Sequence, residues 1–476
     1  MKKIVLLSVM LFSLRGLFAQ EVIIYPAPKE ELLSSDYAVE VNGKPVPVYM
    51  AQTQHRDKKP YSFAYFDFSG SVTVKIRTKL PLDSLTIRPE KYGIKPVIGK
   101  GEAIFTTDKQ FKISFEPTGA NTPLLLFSNP IEENAPKQGD PNVVYFGPGV
   151  HKPVRIELTA GQTLYIAGGA IVKGAVLSKG ENIKIMGRGI LDGNDWPHSK
   201  GPASRLIETF DGSNIVIEDI ICRGSWNWTI QLTRCNQVTI ENVKLCGSRV
   251  GNDDGVDPCN TSNVIVRDCF FRTDDDAIAV KGMARTEKDW MPMENIVVED
   301  CTFWVDYANV FRLGTESRSL GLRNFTARNI DVIHSLNPTN PRVQIFFLLP
   351  ADNMPMENLV FENIRINGES PQNLVKMIPE VNNMWSRRGN PILVPGDGPY
   401  IHNVVFKNIE VYGEHKEGTT LGTILMGGLN EKHNVQAITF DNFRRYGQLL
   451  KPDSPNLEIR QFVEQLKFIG PETPVK

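Results

Sequence analysis

The chain has almost no net charge, no apolar run that reaches across a bilayer, and no cysteine or histidine spacing that suits zinc. Its 53 basic residues stand against 54 acidic ones, a net of −1, so neither nucleic acid nor an anionic membrane has an electrostatic basis as partner. The N-terminal apolar run from Ile4 to Leu14 holds eleven residues, about half of what a spanning helix needs. Lys2 and Lys3 precede it and RGLFA follows it, the pattern of a secretory signal over residues 1–19, which predicts a periplasmic or secreted protein. No Cys follows the run to carry a lipid anchor. Cys222, Cys235, Cys246, Cys259, Cys269 and Cys301 show no CxxC pattern and no HxxxH companion, which argues against a zinc site.

Helical periodicity is missing as well, and in its place one short phrase returns nine times. It consists of an Asn-like residue, an apolar–x–apolar pair, Asp or Asn, and a second apolar–x–apolar pair. Examples are NIVIEDIIC from Asn214, NVIVRDCFF from Asn263, NIVVEDCTF from Asn295 and NLVFENIRI from Asn358. Period-2 alternation marks short strands, with Asn, Asp and Gly as turns between them. Recurrence every 23 to 45 residues indicates a stacked array, and two strands per copy without a helix indicate a right-handed parallel β-helix. Aligning the copies puts Cys269 and Cys301 in the column of Ile220 and Val243. Cys222 shares a column with Leu245, Phe271 and Phe303. These thiols are therefore expected to be buried, although an exported protein also permits disulfides.

Residues 20–135 lack the phrase but carry alternating runs such as YAVEV, FAYFDF and VTVKIRT between turns. The expectation is an all-β chain: a small N-terminal β-sandwich over 20–135, a β-helix over 136–450 and a capping tail over 451–476. The sandwich is expected to cover the open N-terminal end of the solenoid, with carbohydrate binding as an alternative role.

Outward residues on successive coils stack about 4.8 Å apart, so catalytic groups need only share a face on adjacent coils. Aligning GNDDGVDPCN with TDDDAIAVKG places Val256 over Ile278, Asp253 under Asp275 and Asp254 under Asp276, an offset of 22 residues. One coil further on, Asn309 stands above Asp276, and Arg312 continues the row of Asp257 and Ala279. Carboxylates stacked this closely on the outer wall repel one another, which keeps one protonated beside ionised neighbours. Glycoside hydrolysis uses that division between an acid and a base. Lys281, Arg312 and Glu316 share the surface as sugar-binding candidates, and Trp226 and Trp228 are expected to form a stacking platform. Asp274 reads as a turn residue, and Asp257 is open to either role. Calcium binding and plain solvated turns are the competing readings of the acidic runs; no cofactor or metal is assigned.

These segments resemble known enzymes. SWNWTIQLTRCNQVTIENV, NDDGVDP and TDDDAIAVKG are similar in order and spacing to the polygalacturonase family. The stretch from Phe303 to His334 and the preceding sandwich resemble the related dextranase–isopullulanase family. The resemblance covers about residues 140 to 340 and implies an inverting hydrolase of an α-linked polysaccharide. It implies Asp275 as general acid, Asp254 and Asp276 as the pair that activates water, and Lys281 as a substrate-binding position. Two family features are absent. Asn309 stands where polygalacturonases carry the His of a GHG turn, and RVQIFF from Arg342 is only a distant substitute for their RIK motif. The dextranase-like features do not require that His, so a neutral α-glucan is an alternative to galacturonan.

A polysaccharide lyase and a non-catalytic glycan-binding protein are the competing functions; the protein is expected to act as a monomer on a polysaccharide or oligosaccharide. The insertions Met283 to Met293 and Asn382 to Gly398, the latter with Trp385, Arg387 and Arg388, are candidate walls for the groove.

Overall fold

The structure is a computed structural model that describes residues 20–54, 59–335, 343–368, 373–381, 395–413, 415 and 421–470. Residues 1–19, Arg342, Trp385, Arg387 and Arg388 lie outside the described residues. From Val143 onward the strands form one 29-stranded sheet whose members pair in parallel with the strand one coil away. This is the right-handed parallel β-helix expected from the repeat. Registers match the alignment of the phrases: Cys222 lies on Leu245, Leu245 on Phe271, and Phe271 on Phe303.

The first residue of each phrase turns the corner between strands. Asn214, Asn263, Asn295, Asn324, Asn358 and Asn403 all have φ between 52° and 58°, a left-handed conformation that Asn tolerates better than other side chains. Their amides then hydrogen-bond from coil to coil at 2.7 to 3.3 Å. Asn is thus selected twice, by the backbone and by the ladder. Inside, Phe311, Phe325, Phe346, Phe361 and Phe406 form a continuous aromatic stack, with Phe361 and Phe406 parallel and 5.0 Å apart. All six cysteines are buried free thiols. Cys222, Cys235, Cys269 and Cys301 lie in this core, whereas Cys246 faces the sandwich.

The N-terminal strands form a six-stranded and a five-stranded sheet packed face to face. The first sheet is buried on both sides, which explains the continuous burial of Tyr61–Ser69 and Leu124–Asn129. Ala64, Phe66 and Phe68 point into the sandwich core, while Tyr61, Phe63 and Tyr65 point at the β-helix. They meet Ile171, Ile190, Ile221, Cys246, Phe270, Trp304 and Ile333, outward residues of successive coils. The sandwich therefore lies along the flank of the solenoid, which corrects its expected place over the N-terminal end; its two-faced sheet needs an apolar wall, and the flank supplies one. Polar pairs pin the same seam: Arg223 to Glu31 at 2.5 Å, Lys112 to Asp268 at 2.7 Å, Lys244 to Asn129 at 2.6 Å and His334 to Glu116 at 2.9 Å.

Over residues 451–470 the chain stays with the solenoid. Leu457–Ile459 pairs with Thr423–Met426, and Lys467–Ile469 pairs with Val435–Asp441, both in parallel, so the expected tail adds a further rung. No helix among the described residues is long and apolar enough to cross a membrane. Truncating Phe361 to Ala removes a ring that touches four other aromatic side chains. The variant is expected to lose about 3–5 kcal/mol of stability, measured as a lowered midpoint in urea unfolding.

Candidate active site

Between the flank strands and the next strand of each coil the chain makes a turn, and three successive turns stack. Gly255 N–H donates to Asp276 O at 2.8 Å and Ala277 N–H to Asn309 O at 2.9 Å, so Asp254, Asp276 and Asn309 hold equivalent positions. Val256 pairs with Ile278 and Ile278 with Phe311, the register read from the sequence. Gly255 is required by close approach: a Cβ there would meet Ala277 O at 2.4 Å.

Asp254, Asp275 and Asp276 each present an oxygen within 4.8 Å of the others. The expected cluster therefore forms, but not as an exposed row. Asp254 and Asp276 are buried, and Asp275 alone of the three is partly exposed. The expectation that all three stand on the outer wall is corrected: neighbouring polar side chains fold over two of them. Lys281 Nζ lies 2.6 Å from Asp254 and 2.6 Å from Asp257. Arg312 reaches Asp276 Oδ2 at 2.8 Å and Glu316 at 3.3 Å. Asn309 donates its backbone N–H and its amide to Asp276 Oδ1 at 3.1 and 2.6 Å. Asp275 accepts from the Asn252 amide at 3.1 Å and makes no ion pair among the described residues.

Five carboxyl groups thus share two cations, and the proton affinities of the four aspartates separate. Burial pushes the Asp275 carboxyl well above the usual range, and the charges of Asp254 and Asp276 push it further. Burial also acts upward on Asp276, but Arg312, Lys281 and Asn309 outweigh it and hold that carboxyl below the usual range. Burial raises Asp254 and, more strongly, Asp257 against the pull of Lys281. Neither Asp257 oxygen is in line for a hydrogen bond, so Lys281 serves Asp254 as donor and Asp257 is the one driven toward its neutral form. Burial opposes the charge on Lys281, yet Asp254, Asp257 and Glu316 outweigh it and keep the ammonium protonated. The three clustered carboxylates would also suit a cation. Lys281 and Arg312 pair with Asp254 Oδ2 and Asp276 Oδ2, whereas Asp254 Oδ1 has no hydrogen-bond partner among the described residues.

Of the expected binding residues, Lys281, Asn309 and Glu316 are buried and Arg312 is partly exposed, while Trp226, Trp228 and Asp257 are engaged otherwise than expected. Trp226 is fully buried in the solenoid core, edge-on to Trp196, with Nε1–H donating to Ala203 O at 3.0 Å, so it offers no platform for sugar. Its large ring fills the interior beside a loop. Trp228 remains partly exposed, but Lys281 Nζ lies 3.5 Å and Arg205 3.9 Å from its ring centroids, so its π surface binds protein cations. Asp257 is buried against Lys281, which is itself buried, so neither side chain stands on the surface where a sugar was expected to meet it. Asp253 organises the turns: its carboxylate accepts the N–H groups of Ser248, Arg249 and Asp274 at 2.5, 3.2 and 2.6 Å. Asn252 is not among the expected site residues, though its place as the first residue of NDDG was the available signal.

Residues 172–305 match the family described as glycosyl hydrolases family 28. A probable polygalacturonase of Vitis vinifera is 28% identical over 169 residues, 34% of this chain and 33% of that protein. A probable rhamnogalacturonase B of Aspergillus oryzae is 25% identical over 177 residues, 37% of this chain and 29% of that protein. In fold the chain resembles Dex49A from Penicillium minioluteum, with a TM-score of 0.67 at 14% identity over 92% of this chain and 96% of that one. In sequence over residues 172–305 and in fold, the chain is similar to β-helical glycoside hydrolases. It spans about a third of the length of the curated relatives it matches. The family match takes in the clan motifs from Asp254 to Lys281, while Asn309, Arg312 and Glu316 lie beyond it.

Lys281 is the test of this electrostatic arrangement. Lys281→Met leaves Asp254 and Asp257 enclosed without their cation and is expected to cost about 3–5 kcal/mol at neutral pH. The loss shrinks as pH falls, because both carboxyls have raised proton affinity and become neutral. Denaturant unfolding at two pH values measures both effects.

Proposed function

We propose that this protein is an exported inverting glycoside hydrolase of an uncharged, α-linked polysaccharide or oligosaccharide. Asp275 is the general acid, and Asp254 and Asp276 activate the attacking water. The observation that carries the reading is the asymmetry of the cluster. The carboxyl that keeps its proton is the only one of the three that solvent reaches, and the one held ionised by Arg312 and Asn309 lies beside it. Neighbouring groups driven apart in this way are the mark of an acid and a base. Asp254 Oδ1 is buried without a protein donor and supplies an acceptor for the water.

An uncharged substrate follows from the cations. Lys281 and Arg312 are each paired with a carboxylate, Asp254 and Asp276, and each has a second carboxyl group beside it, which leaves the site poorly suited to a polyuronate. Asn309, in place of the polygalacturonase His, points the same way. Inversion rests on the resemblance to polygalacturonases, since an oxygen separation within 4.8 Å is below the roughly 6.5–9.5 Å that inverting pairs usually keep. A lyase needs a basic group to abstract a proton, and here Lys281 and Arg312 are held as cations, which disfavours that reading. Export rests on the pattern of residues 1–19.

Asp275→Asn is expected to lower turnover by roughly 10²–10⁴-fold with an unchanged melting curve, whereas near-normal turnover would remove Asp275 from the acid role. Because the acid works protonated, wild-type activity should fall on the alkaline side as pH rises through its raised pKa. A polysaccharide screen with reducing-end detection should find hydrolysis of neutral α-glucans and little of polygalacturonate. Binding without any released sugar would favour a non-catalytic glycan binder. NMR of the first product should show the β anomer; an α anomer would contradict inversion.

A further inference from the structure

The sandwich, 220 residues away in sequence, reaches the turns that carry the carboxyl cluster. Gln54 Nε2 donates to Asp274 Oδ2 at 2.6 Å, and Gln54 backbone N–H donates to Ser248 O at 2.8 Å. Beside it the Thr53 and Ser248 hydroxyls lie 3.2 Å apart, and Tyr61 OH donates to Gly247 O at 3.0 Å. One short segment of the sandwich therefore bridges two successive turns of the solenoid. Asp253 bridges the same two turns from within, accepting from Ser248 on one side and from Asp274 and Asp275 N–H, at 2.6 and 3.4 Å, on the other.

Asp275 sits between two pinned neighbours. On its C-terminal side Asp276 is held by Arg312 and Asn309. On its N-terminal side Asp274 is gripped by Gln54. Among the described residues, the Asp275 side chain itself has only the Asn252 amide and the Asp276 N–H, at 3.1 and 3.0 Å, to fix its direction. Its aim therefore depends on where the backbone of residues 274–276 is held. A small displacement of a reacting group has a large effect on rate, because catalysis relies on a near-attack geometry.

We propose that Gln54 is a positioning residue for Asp275: it acts through Asp274, and the sandwich is thereby a working part of the active site. This rests on the assignment of Asp275 as the acid. The seam as a whole is held by the apolar wall and by ion pairs far from Gln54, so loss of one amide does not detach the sandwich.

The test compares the full-length wild type with Gln54→Met, which keeps the side-chain length and drops the donor, and with Gln54→Ala. Both are expected to lower kcat by roughly ten- to hundredfold, with KM on a neutral α-glucan within about twofold of wild type. Amide exchange in the peptide covering residues 272–276 is expected to quicken. Unchanged kcat in Gln54→Met overturns the proposal, whether or not exchange quickens, because Gln54 then has at most a structural role. Unchanged exchange overturns the clamp itself. Should Gln54→Ala fail to fold, the Met variant decides alone. Asp275→Asn measured alongside separates the two claims: if it stays active, the acid assignment is wrong, and the exchange arm still reports on the clamp.

Discussion

Everything at this site follows from a mismatch of charge in a confined space. Successive turns bring Asp254, Asp257, Asp275, Asp276 and Glu316 around two cations, Lys281 and Arg312. All five cannot ionise where burial penalises charge. Position decides which do. Among the described residues, Asp276 has a guanidinium and an amide, Asp254 has an ammonium, and Asp275 has only the Asn252 amide and a backbone N–H. Burial and the neighbouring charges raise the proton affinity of Asp275, the one of the three clustered carboxyls that faces solvent, and the proposed acid role rests on that placement.

The β-helix makes such a mismatch sustainable. Its turns are joined by main-chain hydrogen bonds from coil to coil, and its interior is a stack of aromatic and aliphatic side chains. Repulsion among the carboxyls is thus opposed by a scaffold that does not bend locally. The sandwich adds a second constraint from the flank. Tyr61 shows the connection in one residue: its ring lies 3.8 Å from the Arg272 guanidinium, and its hydroxyl bonds Gly247 O at the start of an acidic turn.

Much of this was legible in the sequence because the solenoid converts sequence offset into spatial neighbourhood. Once the phrases were aligned, the pairing of Val256 with Ile278, the place of Asn309 above Asp276 and the columns of Cys222 and Cys269 followed from a period of one coil. What was not legible is what the alternation rule leaves open. Period 2 says that a residue points outward, not whether something covers it. Asp254 and Asp276 point outward and are enclosed by Lys281, Arg312 and Asn309. Trp226 lies in a turn, where the alternation does not apply, and its ring entered the core. The flank position of the sandwich, and with it the reach of Gln54 to Asp274, depends on packing between segments with no shared repeat.

The distribution of protons can be observed directly. Infrared spectra of the folded protein at neutral pH should contain the carbonyl stretch of a protonated carboxyl group that disappears in Asp275→Asn. A spectrum in which that substitution removes no protonated carboxyl band would show Asp275 to be ionised, and would contradict the division of charge from which the whole account is built.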